Sequence, residues 1–515
     1  MKTTRLWLGA LLLAGACGGS TSAKRSYGGS SPPPAEPGNQ GDRHNAVGTN
    51  PFVSAAHNPF STFGADVDTA SYDIFRRDVQ QGMLPRADGV RLEEYVNYFA
   101  YEYPGPGPDA PHPFQISLAA AANVFERPTM LVRVGIQATK PPPFQKRPAN
   151  LVFLMDVSGS MQEENKLPLA KKVAIEALGV LDPNDTIALV TYAGSTGVVL
   201  APTPVAQRQR IIDAIGRLEA GGGTAGAAGL ELAYQQAQAG FLEGGINHIV
   251  LCTDGDFNIG PSSDAELLKL IREKRKTGVT MTALGFGVGN LNDGMMEAVS
   301  NAGNGIYGVI SDADHATRYA HERLLATIDH VAKDLKIQVE FNPARVAAYR
   351  LLGYEDRLID SHDFRNDAID AGEIGAGHRV TALYEVLPVG ATLPLGPGQP
   401  AIVDGAPADL QREVGANDLL LVKARYKHTD ATDTTPALEV STGLDALHVE
   451  ETLSAADADL QWAVAIAAFA EILKKSPFAD RGFLPQIEQI VTAQAGRDRD
   501  RAEFAALFAK IQPRL

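Results

Sequence analysis

Five short apolar runs, at 150–155, 186–192, 248–253, 279–286 and 305–310, recur between stretches whose apolar residues fall at helical spacing. Leu167, Ala170, Ala174, Ala177, Leu178 and Leu181 share one face of such a stretch. Near-continuous apolar strands alternating with amphipathic helices predict a doubly wound, mostly parallel α/β domain over 150–310, covered by helices on both sides.

On either side the period changes from 3.6 to 2. Phe114–Leu118 and Met130–Ile136 precede the α/β stretch, and Leu335–Phe341, Val380–Val386 and Leu419–Tyr426 follow it. The strands of 113–149 are expected to pair with those of 335–450, so that the α/β domain is inserted into a β-sandwich, with a linking helix over 311–334. Helical spacing returns at Thr69–Val79 and Arg91–Phe99, predicting a small, mainly helical domain over 59–112. It also returns over 451–515, where Trp462, Ile466, Phe469 and Leu473 share a face and are expected to pack against the sandwich. Residues 17–58 are rich in Gly, Ser, Pro, Asn and Gln without any period, a composition that buries too little apolar area to offset chain entropy. They are expected to form a disordered tether, with the two Asn-Pro-Phe triplets at Asn50 and Asn58 marking turns.

The N-terminus adds a compartment. Lys2 and Arg5 precede the apolar segment Leu6–Ala14, too short to span a membrane as a mature helix, and Ala14-Gly15-Ala16-Cys17 follows. Residues 1–16 are read as a signal peptide. The small residues before Cys17 resemble the lipobox of bacterial lipoproteins, which implies lipidation of Cys17 and a membrane anchor; Ala14 departs from the usual Leu. Secretion after cleavage near Ser20 or Ala23 is the alternative. Gly18, in place of Asp, favours the outer membrane by analogy. The only other cysteine is Cys252, so acylation of Cys17 excludes a disulfide.

Composition bounds the partners. A chain of 515 residues with 44% apolar and 21% charged residues folds as several globular parts. The formal charge is −15, and loss of Lys2 and Arg5 leaves 44 basic against 61 acidic residues, or −17. With no basic stripe interleaved with aromatics, nucleic acid is not an expected partner.

Candidate chemistry gathers where strands are expected to end. Asp156, Ser158 and Ser160 form a D-x-S-x-S turn directly after 150–155; Thr224 closes a Gly-rich turn beginning at Gly221; Asp254 follows the run Ile249–Thr253. Ligands of open α/β sheets collect outside the carboxyl ends of the strands, and carboxylate and hydroxyl oxygens suit a small hard cation. Asp256 and Asn258 are read as loop caps rather than outer-shell groups, and Asp66 and Asp68 as N-cap residues of the next helix. Enzyme motifs are missing: Asp156 stands where a G-x-S-x-G elbow needs Gly, no G-K-[ST] loop occurs, and no H-E-x-x-H pairs the histidines. Gly285, Gly287 and Gly289 suit a sheet-to-helix turn, and His248 and His378 are read as surface or second-layer residues.

Asp156, Ser158, Ser160, Thr224 and Asp254 in this order resemble the metal-ion-dependent adhesion site of von Willebrand factor type A domains. The flanks, including Phe63–Tyr72, Tyr349–Asp356 and Asp370–His378, are similar to bacterial envelope proteins that join this domain to a short N-terminal region and a C-terminal domain of unknown function. The resemblance implies Mg2+, with Mn2+ or Ca2+ as alternatives, held partly through water, with one position open for a Glu or Asp carboxylate from a protein partner. The expected function is therefore non-enzymatic, metal-dependent protein binding or adhesion at the cell envelope. The alternatives are an accessory subunit presenting substrates to an ATPase or assembly machine, and a hydrolase whose site lies outside these motifs.

Overall fold

Apolar runs at the expected positions build the central layer of the protein. The computed structural model describes residues 41–515 apart from 66, 126, 141–145, 224–225, 256–262, 370, 397, 407–409 and 433–434. Cys17, Asp66, Thr224, Asp256 and Asn258 thus lie outside the described residues. The central sheet has the order Tyr307–Ile310, Thr280–Phe286, Ile246–Thr253, Ala149–Asp156, Thr186–Tyr192, Thr196–Pro204. Its first five strands are parallel and the last runs antiparallel along the edge. Leu151, Phe153 and Met155 face the helices Leu167–Ala177 and Arg208–Gly216, whereas Val152 and Leu154 face Gly226–Ala239, Asp264–Arg275 and Asp293–Ala302. This alternation leaves each central strand buried on both sides, which is why the strands read as unbroken apolar runs. From Ala149–Asp156 the chain moves to one side of the sheet and returns on the other at Ile246–Thr253. The switch point therefore lies between these two strands, whose carboxyl ends carry Asp156 and Asp254.

The α/β layer is inserted between strands that pair with each other. Met130–Ala138 lies between Phe114–Ala122 and Arg379–Pro388, and the latter pairs onward with Val346–Leu352. A second sheet is built on His330–Phe341, flanked by Asp418–Lys427 and, successively along its other edge, by Gly372–Gly375 and Phe60–Gly64. Ile116, Val132, Val134 and Ile136 of one sheet meet Ile337, Val339, Phe341 and Val422 of the other in one core.

Several segments differ from the sequence expectation. Residues 59–112 do not form a separate helical domain. Phe60–Gly64 completes the sandwich, while Ala70–Gln80 and Leu92–Asn97 join Ala458–Lys474, Leu484–Gln494 and Arg499–Ile511 in a helical layer on the outer face of the first sheet. Aromatic contacts hold that layer, with the Phe99 and Trp462 rings 5.1 Å apart and those of Phe469 and Phe504 5.3 Å apart. The expected linking helix ends at Ile328, and His330 already opens a strand. The expected tether is structured over 41–58: Asp42 is buried, and Val53 and Ser54 pair with Tyr349 and Ala348. Asp68 is not an N-cap; it accepts from the Tyr307 amide at 2.8 Å and faces Arg357 at 3.3 Å. His248 is fully buried in the strand Ile246–Thr253, with its ring nitrogen 2.6 Å from Thr280 Oγ1.

The helix Ala70–Gln80 bridges the two parts through Asp73, whose carboxylate accepts from the Val309 amide and Thr69 Oγ1, each at 3.2 Å. Burial pushes the Asp73 carboxyl up from 3.8 to about 6, against the pull of Arg323 and Arg76. Burial, with the Arg76, Arg323 and Arg318 charges, holds the His315 imidazole neutral, and its Nε2 lies 3.5 Å from Asp73 Oδ1. A carboxyl raised in the folded state contributes stability that is present below its unfolded value near 3.8 and is lost as pH rises through about 6. Asp73→Asn, which copies the protonated acid, is expected to escape this loss. It should be more stable than the parent by up to about 3 kcal/mol at pH 8, with the difference vanishing by about pH 4. Denaturant unfolding at the two pH values measures it, and a pH-independent difference would contradict the assignment.

Candidate metal centre

The central strand Ala149–Asp156 delivers Asp156 fully buried to the sheet's carboxyl edge. Parallel pairing of Met155 with Cys252 sets Asp156 beside Thr253, whose hydroxyl donates to Asp156 Oδ2 at 3.0 Å. The Ser158 amide donates to Oδ1 at 2.9 Å, so both carboxylate oxygens are oriented from opposite sides. The chain then tightens into the 3-10 turn Gly159–Gln162, which brings Ser158 Oγ within 3.0 Å of Ser160 Oγ. Asp254, also fully buried, accepts at Oδ2 from Asn290 at 2.8 Å and from the Lys166 ammonium at 3.1 Å, and is hydrogen-bonded by Ser160. Asp156, Ser158, Ser160 and Asp254 are thus brought together as one hydrogen-bonded run, since Ser158 also bonds the Asp156 side chain.

Thr224, the fifth expected residue, lies outside the described residues, but the turn before it is anchored to the same loop. The Gly221 amide donates to the Val157 carbonyl at 2.8 Å, and the Gly159 amide to the Gly222 carbonyl at 3.1 Å. Gly222 has φ +86, a conformation that leads here to glycine.

Two buried carboxylates at one sheet edge respond in opposite ways. Burial raises Asp156, the Ser158 and Thr253 hydrogen bonds oppose it, and the negative charge of Asp254 adds to the upward push. Burial also pushes Asp254 up, but the bonds from Asn290 and Ser160 and the Lys166 charge outweigh it and hold this carboxyl below its ordinary value. The Lys166 ammonium pairs with Asp254, and two buried carboxylates at one sheet edge form a site that a further cation would complete. The donors are oxygens throughout, as magnesium requires. With metal–oxygen bonds of about 2.1 Å, adjacent octahedral ligands stand about 3.0 Å apart, the separation found between the two serine hydroxyls. The residues present fit such an ion.

Sequence reading missed Thr253, Asn290 and Lys166. Thr253 is visible only as the strand neighbour of Asp156, and Asn290 only as the residue after the Gly287–Gly289 turn. Lys166 carried a usable signal, a cation six residues after the last motif serine and directly before the helix Leu167–Ala177. Cys252 is buried in the strand leading to Asp254, and burial pushes its thiol far above the ordinary range, so it has no ligand character.

Three family models match the chain: von Willebrand factor over residues 38–133, von Willebrand factor type A domain over 150–321, and Uncharacterized protein YfbK, C-terminal, over 326–513. The chain is 36% identical over 477 residues to the Uncharacterized protein YfbK of Escherichia coli (strain K12), a match covering 90% of this chain and 80% of that one. It is 28% identical over 199 residues to Inter-alpha-trypsin inhibitor heavy chain H1 of Mesocricetus auratus, which covers 37% of this chain and 21% of that protein. A solved structure of von Willebrand factor type A from Catenulispora acidiphila matches with a TM-score of 0.41 and 18% identity, over 80% of this chain and 88% of that one.

Proposed function

The chain belongs to the family of YfbK, in which a von Willebrand factor type A domain stands between an N-terminal region and a YfbK C-terminal domain, and we propose that it is a metal-dependent protein-binding module of the bacterial cell envelope. The observation that carries this reading is the buried, all-oxygen run Asp156–Ser158–Ser160–Asp254 at the switch point of the sheet. Asp156, Ser158, Ser160 and Asp254, with Thr224 from the adjoining turn, would hold Mg2+, with Mn2+ or Ca2+ as substitutes. The ion supplies a concentrated positive charge with a coordination position open to a partner's Glu or Asp carboxylate. We read the run as a ligand set because carboxylate and hydroxyl oxygens converge in it, a donor set that suits a hard cation. The module binds and does not turn over substrate.

The location follows from Leu6–Ala14 and the small residues before Cys17, read as a lipoprotein signal that would leave the mature chain anchored through Cys17. Among the described residues no helix is long and apolar enough to cross a membrane.

Affinity capture from envelope extracts tests the proposal, with the parent chain and Asp156→Ala each run in magnesium and in chelator. Partners held by the parent in magnesium are expected to fall by at least about tenfold in the other three conditions, since truncating one member of a buried charged contact costs about 2–5 kcal/mol. Identical partner sets in all four conditions refute metal-dependent recruitment.

A further inference from the structure

Lys166 is a charged group aimed into the candidate centre whose part in it the metal reading leaves open. Its side chain is 5% exposed, and its ammonium donates to Asp254 Oδ2 at 3.1 Å and to the Ser160 carbonyl at 2.9 Å. It therefore grips a carboxylate and a backbone oxygen of the two loops that supply the metal donors. The local chain is shaped to admit it. Gly287, at φ +83, passes over the lysine stem, and a Cβ there would stand 2.8 Å from Lys166 Cγ. A second acceptor waits outside, since Glu163 Oε1 lies 3.9 Å from the ammonium and its side chain is 64% exposed.

We propose that Lys166 is a resident counter-cation that sets the metal affinity of the centre: it neutralises Asp254 when no divalent ion is present, and gives way toward Glu163 when one binds. This rests on the metal-binding reading above and deepens it. An ammonium beside a divalent ion in a buried site raises the energy of the metal-bound state, whereas in the metal-free state it pairs directly with the buried Asp254 carboxylate. The lysine thus makes the metal-free protein stable and the metal-bound protein weaker than its ligands alone would allow. The physical result is reversible occupancy in place of a permanently held ion.

Magnesium titration by calorimetry on the full chain, with thermal unfolding in chelator, tests this. Lys166→Met is expected to bind magnesium at least about tenfold more tightly than the parent and to unfold at lower temperature in chelator, with a larger stabilisation by magnesium. Lys166→Arg, which keeps the charge, should bind no more tightly than the parent. In the parent itself, reductive methylation followed by mass spectrometry should label Lys166 slowly in chelator and faster in magnesium, a readout that needs no variant. Equal or weaker magnesium binding by Lys166→Met, or labelling of Lys166 that ignores magnesium, overturns the lysine's role while leaving the metal site standing. Failure of both parent and variant to bind magnesium removes the metal reading, and the inference with it.

Discussion

Replacing Arg91 by leucine is expected to lower the folding stability by about 3–5 kcal/mol at pH 7, the range for stranding buried charges. Arg91 is 1% exposed and lies directly before the helix Leu92–Asn97. Its guanidinium donates to both oxygens of Asp293, at 2.7 and 3.1 Å, pairs with Glu94, and reaches Glu297 at 3.4 Å. Asp293 begins the helix Asp293–Ala302 of the α/β domain, so the group joins the N-terminal helices to that domain. Burial alone would raise the Asp293 carboxyl; the Arg91 charge and the bonds from His44 and Arg91 overcome it and hold the group well below the carboxylate range. A depressed carboxyl contributes stability that is present above its unfolded value near 4 and is lost as pH falls toward the folded one. Without Arg91 that sign reverses, because the stranded carboxylates take up protons, so the deficit of the variant should be largest near neutrality and shrink in acid. Denaturant unfolding from pH 7 to pH 4 measures both effects. Adding Asp293→Asn to Arg91→Leu is expected to recover part of the loss, since removing both partners of a buried pair costs less than removing one. A pair of variants whose effects simply add would deny the coupling.

That network was not legible in the sequence, and the reason is the distance it spans. What could be read was local or periodic: five doubly buried strands leave apolar runs, and Asp156, Ser158 and Ser160 lie within five consecutive residues. The edge strand Thr196–Pro204 left no such mark. Only Leu200 and Thr203 in it are buried, and Pro202 and Pro204 are tolerated there because an edge strand needs fewer amide donors. Phe60–Gly64 is five residues long, and its partner His330–Phe341 lies on the far side of the whole α/β insertion. The helix Ala458–Lys474 is apolar nearly all round, so one stripe of Trp462, Ile466, Phe469 and Leu473 understates it. It is sandwiched between the first sheet and the N-terminal helices, and Ala463, Val464, Ala465 and Ala467 are buried as well. At the centre, carboxylates and hydroxyls announced themselves by spacing. Lys166 and Asn290 are single polar residues whose meaning comes only from what the fold sets beside them.

The segment read as the end of a tether carries the second large expectation: Asp42→Ala should cost about 3–5 kcal/mol and weaken magnesium binding by roughly tenfold. Asp42 is buried, with Oδ2 accepting from Arg77 at 2.6 Å and Oδ1 accepting from the amides of Gly289 and Leu291 at 2.9 and 3.0 Å. Arg43 extends the grip, donating its amide to the Leu291 carbonyl at 2.8 Å and accepting from the Asp293 amide at 3.0 Å. The loop held in this way presents Asn290, whose side-chain amide donates to Asp254 Oδ2. Removing the Asp42 carboxylate leaves two amides without their acceptor and Arg77 with Asp78 as its remaining close carboxylate, so the loop loosens before the sheet does. Hydrogen exchange at Gly289 and Leu291 should then accelerate while exchange in the strand Ile246–Thr253 stays slow, and the magnesium titration should show the weaker affinity. Asp42→Asn, which retains an acceptor for the two amides and gives up only the charge, should keep most of the loop protection and most of the affinity. If Asp42→Ala leaves both amides protected, the N-terminal segment does not position Asn290, and the centre is supported from within the α/β domain alone.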